Sequence, residues 1–171
     1  DLIHVDDSSG WANLYRTQGF VWREGEDLNA WVSRLRTRAL HPGTQAFSHP
    51  HWQLGLHSFD NYDNDYLICS WAEDQVWHIG TIRIDNGMAE EWATGWWPIG
   101  NVAAADGRVV FLADSSTHTP AIIEVSRGKT KVLRPSSEAE VPTALVSAAE
   151  MLTWKTSDGE EAHGFYYAPV N

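Results

Sequence analysis

Apolar and polar positions alternate in short runs from one end of the chain to the other, and each run ends at Gly, Asp, Asn or Ser. LIHV (2–5) leads into the polar turn DDSSG, NLYRT (13–17) follows, and WVSRLRTRAL (31–40) alternates as a strand does. YLICSWA (66–72), VWHIGTIRI (76–84), RVVFLAD (108–114), AIIEVS (121–126) and TKVLR (130–134) continue the series. Period-two alternation in runs this short, rich in β-branched and aromatic residues, predicts β-strands almost throughout. Asn86-Gly87, Asp106-Gly107 and Asp158-Gly159 tolerate the positive φ angles of tight hairpins and so predict antiparallel neighbours. Only SSEAEVPTALVSAAEM (136–151) has helix-forming composition, and Pro142 interrupts it, which predicts a linker with at most one helical turn.

A weak repeat runs through these strands. LIHVDDSSGWANLYRTQ, LICSWAEDQVWHIGTIRI and VVFLADSSTHTPAIIEVS each read as an apolar strand, a polar turn and a second apolar strand. Their central turns fall near positions 8, 73 and 116, a spacing of roughly 65 and then roughly 43 residues, and the second value matches a four-stranded propeller blade. The longer first spacing predicts an insertion, for which residues 20–32 (FVWREGEDLNAWV) are the candidate. The expected fold is all-β: a partial β-propeller of about three antiparallel blades, with a C-terminal β-hairpin.

Composition narrows the function classes. The 171 residues are 43% hydrophobic and 20% charged, which fits one ordinary globular core and neither a disordered nor a membrane-spanning chain. A net charge of −11 repels phosphate backbones and anionic membranes, so neither nucleic acid nor a membrane is an expected partner. The basic residues cluster once, at Arg34, Arg36 and Arg38, which strand alternation places on one solvated face. The single cysteine, Cys69, lies in an apolar run and reads as a small buried hydrophobe. No Asn-x-Ser/Thr sequon and no signal peptide occur, which points to a cytoplasmic protein, although a sequence beginning at Asp1 makes the missing signal uninformative. Ten tryptophans are far above ordinary usage. Rings filling the space between packed sheets explain them better than sugar binding does.

Several groups of residues invite a chemical reading, and each has a plainer one. His49, His51 and His57 would share one face of an extended strand, within reach of a metal, but Pro50 breaks that strand and no Cys or acid supplies a fourth ligand. Asp60, Asp63 and Asp65 in DNYDND lack the Gly and the distal Glu of a calcium loop and fit a polar hairpin turn. Glu90-Glu91 follows Asn86-Gly87 on an outgoing strand, and Glu160-Glu161 follows a turn and is expected to be solvated. No Gly-x-Ser-x-Gly occurs, so the sharp turn that exposes a serine nucleophile is missing. The sequence therefore assigns no catalytic, cofactor-binding or metal-ligating residue.

The unit VDDSSGWANLY (5–15) resembles the blade repeat of prolyl oligopeptidase and TolB-like propellers. The C-terminal run SAAEMLTWKTSDGEEAHGFYYAPVN (147–171) is similar to the junction at which bacterial acylaminoacyl-peptidase-like and dipeptidyl-aminopeptidase-like members of the prolyl oligopeptidase family pass from propeller to α/β-hydrolase domain. Glu150, Leu152, Trp154, Ser157, Asp158, Gly159, His163, Gly164, Phe165, Tyr166, Tyr167 and Pro169 carry that likeness. HPHWQLGLHSF (49–59), with the turn and YLICSWA after it, is similar to the blade before last.

The resemblance implies blades over residues 1–146, and a linker with the first hairpin of a missing α/β-hydrolase domain over 147–171. It also implies a non-catalytic, substrate-gating part of a serine peptidase that takes short peptides. The catalytic domain would be the partner, and open blade faces would allow a homo-oligomer. The alternative is a free-standing propeller-like binding module for sugar or peptide. A third reading, an enzyme of the lactonase or glycosidase propeller type, needs clustered acids or a metal site that the sequence does not display.

Overall fold

The computed structural model describes residues 1–50, 52–139 and 141–170. Its strands form four antiparallel sheets, each built from consecutive segments. The first sheet comprises β1 (Leu2–Asp6), β2 (Asn13–Gln18) and β3 (Arg36–Ala39) in that order. The second comprises β4 (Phe59–Asn61), β5 (Tyr66–Glu73), β6 (Val76–Arg83) and β7 (Ala89–Glu91). The third comprises β8 (Trp97–Ala105), β9 (Arg108–Asp114), β10 (Ala121–Ser126) and β11 (Lys129–Pro135). A hairpin of β12 (Ala149–Lys155) and β13 (Glu161–Tyr167) forms the fourth. The three repeat units of the sequence are β1–β2, β5–β6 and β9–β10, so the chain is an all-β partial propeller whose sheets stack as blades.

Burial shows how the sheets stack. Successive side chains of a strand point to opposite faces, and β5 is apolar on both. Leu67, Cys69 and Trp71 join Ile82 of β6 in a cluster with Leu14, Leu40 and Phe47 from the first sheet and the segment after it. Ile68 and Ile79 belong instead to a cluster with Val102, Val109, Phe111 and Ile123 of the third sheet. The second sheet is therefore enclosed on both sides, which explains why LICSW reads as an unbroken apolar run. The third sheet is buried on one side only. Val109, Phe111, Ala113, Ala121, Ile123 and Val125 point inward, while Leu112 and Ile122, opposite one another across β9 and β10, are exposed.

The hairpin turns follow their sequences. Asp106 and Gly107 both take positive φ (52° and 70°), as do Arg127 and Gly128 between β10 and β11. The β5–β6 turn reaches the same geometry without glycine, at Asp74 (47°) and Gln75 (66°). The stretch before β12 holds one 3₁₀ turn at Thr143–Leu145, in keeping with the linker reading.

One predicted strand is corrected. Residues 31–34 of WVSRLRTRAL belong to a helix, α1 (Leu28–Arg34), and only Arg36–Ala39 is extended. The Asp27 side chain accepts the Ala30 amide at 3.0 Å and caps the helix, and Trp31 packs on Phe20 and Trp22. A run of four residues fits a helical and an alternating pattern equally well, and the capping residue outside it decides. The helix begins inside the predicted insertion and runs two residues beyond it.

The arginine stripe loses Arg34 to that helix. Arg34 pairs with Glu26 at 2.7 Å and donates to the Gly19 and Val21 carbonyls, and its hydrogen bond holds the Glu26 carboxyl below the usual range. Arg36 donates to the Ser33 and Leu35 carbonyls, and Arg38 to those of Ile84 and Asp85. Only Arg34 leaves the stripe, while Arg36 and Arg38, two residues apart on β3, keep one exposed face and are each held by different backbone carbonyls.

Candidate functional site

The residues that the sequence singled out are not brought together. His49 is buried, its ring stacked on Trp77 with centroids 4.3 Å apart, and its Nε2 has no partner. Burial pushes its pKa below the ordinary value, against a smaller opposing effect of a hydrogen bond with the Gly100 backbone. His57 is exposed in an irregular segment, so the two do not share a strand face, and His51 lies outside the described residues. Among the described residues no group of three His, Cys, Asp or Glu side chains is placed to hold a metal. Asp63 accepts the amides of Asp65 and Tyr66 at 2.8 Å and shapes the β4–β5 turn, while Asp60 accepts the Ala104 amide at 2.9 Å and ties the second sheet to the third. Glu161 pairs with Lys155 across the last hairpin at 3.0 Å. Cys69 is fully buried, and burial pushes its thiol pKa far up.

A different constellation forms where the second and third sheets meet. β6 supplies Trp77 and His78, and β7 ends on Glu91. The connection to β8 then runs Trp92-Ala93-Thr94-Gly95-Trp96. Gly95 takes a φ of +74°, and the Thr94 hydroxyl bonds both the amide and the carbonyl of Trp96. The loop from β9 to β10 contributes Ser115 to His118. These segments line an open cleft of about 280 Å³. A second cleft of about 640 Å³, lined by Val132, Pro135 and Val146 among others, adjoins it and shares Trp96, Ser116, Thr117 and His118. The Trp96 and His118 rings, 5.1 Å apart, therefore partition one trough.

The polar groups of the trough have defined partners. His78 Nδ1 lies 2.8 Å from a Glu91 carboxylate oxygen, and the His78 ring stacks on Trp71. His118 Nδ1 lies 3.0 Å from the Ser115 hydroxyl, but that oxygen also accepts the amides of Thr117 and His118, so it shapes a turn. No carboxylate among the described residues hydrogen-bonds the His118 ring, and the contact lacks the third group that orients a catalytic imidazole. The trough can stack and hydrogen-bond a ligand, and among the described residues that line it none is an activated nucleophile. Its rim reaches the last hairpin, because the Trp97 ring stacks near Phe165 with centroids 6.2 Å apart. Sequence reading counted the tryptophans but could not assemble them, since their meeting depends on how two sheets stack.

No family model matches the sequence, and no curated protein matches it. Solved structures do. A puromycin hydrolase superposes with a TM-score of 0.78 at 20% identity, over 98% of this chain and 24% of its own. A puromycin-hydrolyzing peptidase of Mycobacterium tuberculosis gives a TM-score of 0.74 at 20% identity, over 95% of this chain and 23% of its own. The chain shares its fold with puromycin-hydrolyzing peptidases. Prolyl oligopeptidase B from Galerina marginata is more distant, with a TM-score of 0.60 at 9% identity over 90% of this chain and 20% of its own. The chain spans about a quarter of the length of the puromycin-hydrolyzing structures it matches. At these identities the likeness establishes the fold.

Proposed function

We propose that this chain is a non-catalytic part of the β-propeller of a prolyl oligopeptidase family serine peptidase that cleaves short peptides. One observation carries the reading: three stacked blades and a separate C-terminal hairpin superpose almost end to end on puromycin-hydrolyzing peptidases. In this reading residues 147–171 lead into an α/β-hydrolase domain, which holds the nucleophile and is the partner of the blades. The blades contribute a wall that admits short or flexible peptides. Such a wall must be stiff, and a second sheet buried on both faces supplies that stiffness. A cytoplasmic peptidase with acylaminoacyl- or dipeptidyl-aminopeptidase-like specificity is the form of the enzyme we infer.

The test is hydrolysis by the complete polypeptide in which this sequence occurs, offered aminoacyl and acetylaminoacyl chromogenic substrates, peptides of increasing length and a folded protein. The expected result is cleavage that falls away as the substrate lengthens. Equal cleavage of a folded protein, or no hydrolysis of any peptide, overturns the proposal.

A further inference from the structure

We propose that β11 is a peptide-binding edge, which takes up acidic peptides in extended form as an added strand of the third sheet. Such binding goes beyond the peptidase reading and does not depend on it, because the edge and its charge both belong to these 171 residues.

Three observations lead to that class. β11 ends the strand order of the third sheet and pairs with β10 alone, and among the described residues no other segment hydrogen-bonds to its backbone. All of its residues are exposed, and alternate residues of such an edge turn their N–H and C=O outwards, open to another chain. The second observation is charge. Residues 127–135 hold four of the 12 basic residues and none of the 23 acidic ones, so a compact cationic patch lies on a chain of net charge −11. Among the described residues Arg127, Lys129, Lys131 and Arg134 make no ion pair, whereas every other basic residue but Arg23 is held by a carboxylate or a backbone carbonyl. Glu124, opposite Lys131 on β10, is taken up by Arg108. The third observation is spacing. Lys129 and Lys131 stand opposite Ser126 and Glu124, and Arg134, beyond the bulge at Leu133, stands opposite Ile122. Cross-strand partners share a face, so these three cations form one column on the open side of the third sheet. A strand added to β11 places carboxylates at every second residue beside that column, about 5 Å away. That fit favours a peptide over a nucleic acid, whose phosphates would spread onto the acidic remainder of the chain. A second β11 is disfavoured too, since its cations would face these.

The probe is a blocked heptapeptide that alternates Val with Glu. Three controls accompany it: Gln in place of every Glu; N-methylation of two adjacent central residues, which keeps the charge and removes a donor from each edge; and a single-stranded oligothymidylate of equal charge. Binding is read from the backbone amide signals of the ¹⁵N-labelled chain. Signals of β11 should shift saturably and its amides should exchange more slowly with solvent, while those of β7, the acidic outer edge of the second sheet, stay in place. The dissociation constant should be on the order of 0.1–1 mM at low salt and rise about threefold or more in about 0.5 M NaCl. The Gln peptide and the N-methylated peptide should each bind about tenfold more weakly. Lys129→Gln combined with Lys131→Gln should weaken the Glu peptide by about three- to tenfold, and Lys155→Gln, in the last hairpin, should leave it unchanged. Equal binding of the Gln peptide or of the N-methylated peptide, tighter binding of the oligothymidylate, or no saturable shift of β11 up to the solubility limit overturns the assignment. The wild-type signals decide this even if a variant fails to fold.

Discussion

Replacing Gly87 by alanine tests the stacking of the first and second sheets through a single methyl group. Gly87 closes the β6–β7 turn with a φ of +73°, and an ideal Cβ there falls 1.6 Å from the Leu40 carbonyl oxygen at the end of the first sheet. The Gly87 carbonyl also accepts a hydrogen bond from His41 Nδ1 at 2.9 Å, so the turn and the segment after β3 are held at close range. Gly107 is the matched control, since its φ is +70° and a Cβ there meets nothing within 4 Å. Left-handed backbone with a Cβ costs about 1–2 kcal/mol at either site. At Gly87 the Leu40 backbone must also retreat, and overpacking of this kind adds about 1–3 kcal/mol. With a urea m-value of about 2 kcal/mol/M, Gly107→Ala should lower the unfolding midpoint by about 0.5–1 M and Gly87→Ala by about 1–2.5 M. Urea titration followed by tryptophan fluorescence measures both. Equal midpoints for the two variants would refute the contact, and with it the placement of the first sheet on the second.

Other expectations follow from burial and exposure. Cys69 should react with a thiol reagent only as fast as the protein unfolds, because its sulfur is enclosed and burial disfavours the thiolate; labelling at the rate of free cysteine contradicts this. His49 binds its proton less readily folded than unfolded, so stability should be fully present above its ordinary pKa of 6.5 and decline as pH falls below it. Melting temperatures of wild type and His49→Gln should therefore converge on acidification, and parallel curves count against the buried neutral ring. With Leu112 and Ile122 exposed on the open face of the third sheet, we propose that the chain self-associates there. Sedimentation should show a dimer that Ile122→Lys dissociates, and a compact monomer at high concentration removes this proposal.

The parts of the fold legible in the sequence are those set by neighbours along the chain. β9 and β10 have the predicted bounds, and β5 and β6 differ from them by one residue, because alternation and the flanking turns both mark them. β8 was not foreseen: Pro98 and a run of alanines give it little strand character, and its pairing with β9 is irregular between Pro98 and Val102. β4, at Phe59–Asn61, is too short to show alternation, and β7, at Ala89–Glu91, was legible only as the strand leaving the Asn86-Gly87 turn. Helix α1 depends on Asp27 and on aromatic contacts made outside its own pattern. The trough was the least legible feature. Trp77, Trp96 and His118 lie on three separate segments, and only the stacking of two sheets makes them neighbours.

The central claim, that these blades belong to a serine peptidase whose chemistry lies elsewhere in the polypeptide, is tested most directly by a fluorophosphonate probe. The complete polypeptide containing this sequence is labelled, digested and mapped by mass spectrometry. The account predicts one stoichiometrically labelled serine, outside residues 1–171, on a Gly-x-Ser-x-Gly turn. A labelled serine within residues 1–171, or no labelled serine in a polypeptide that hydrolyses peptides, would contradict it.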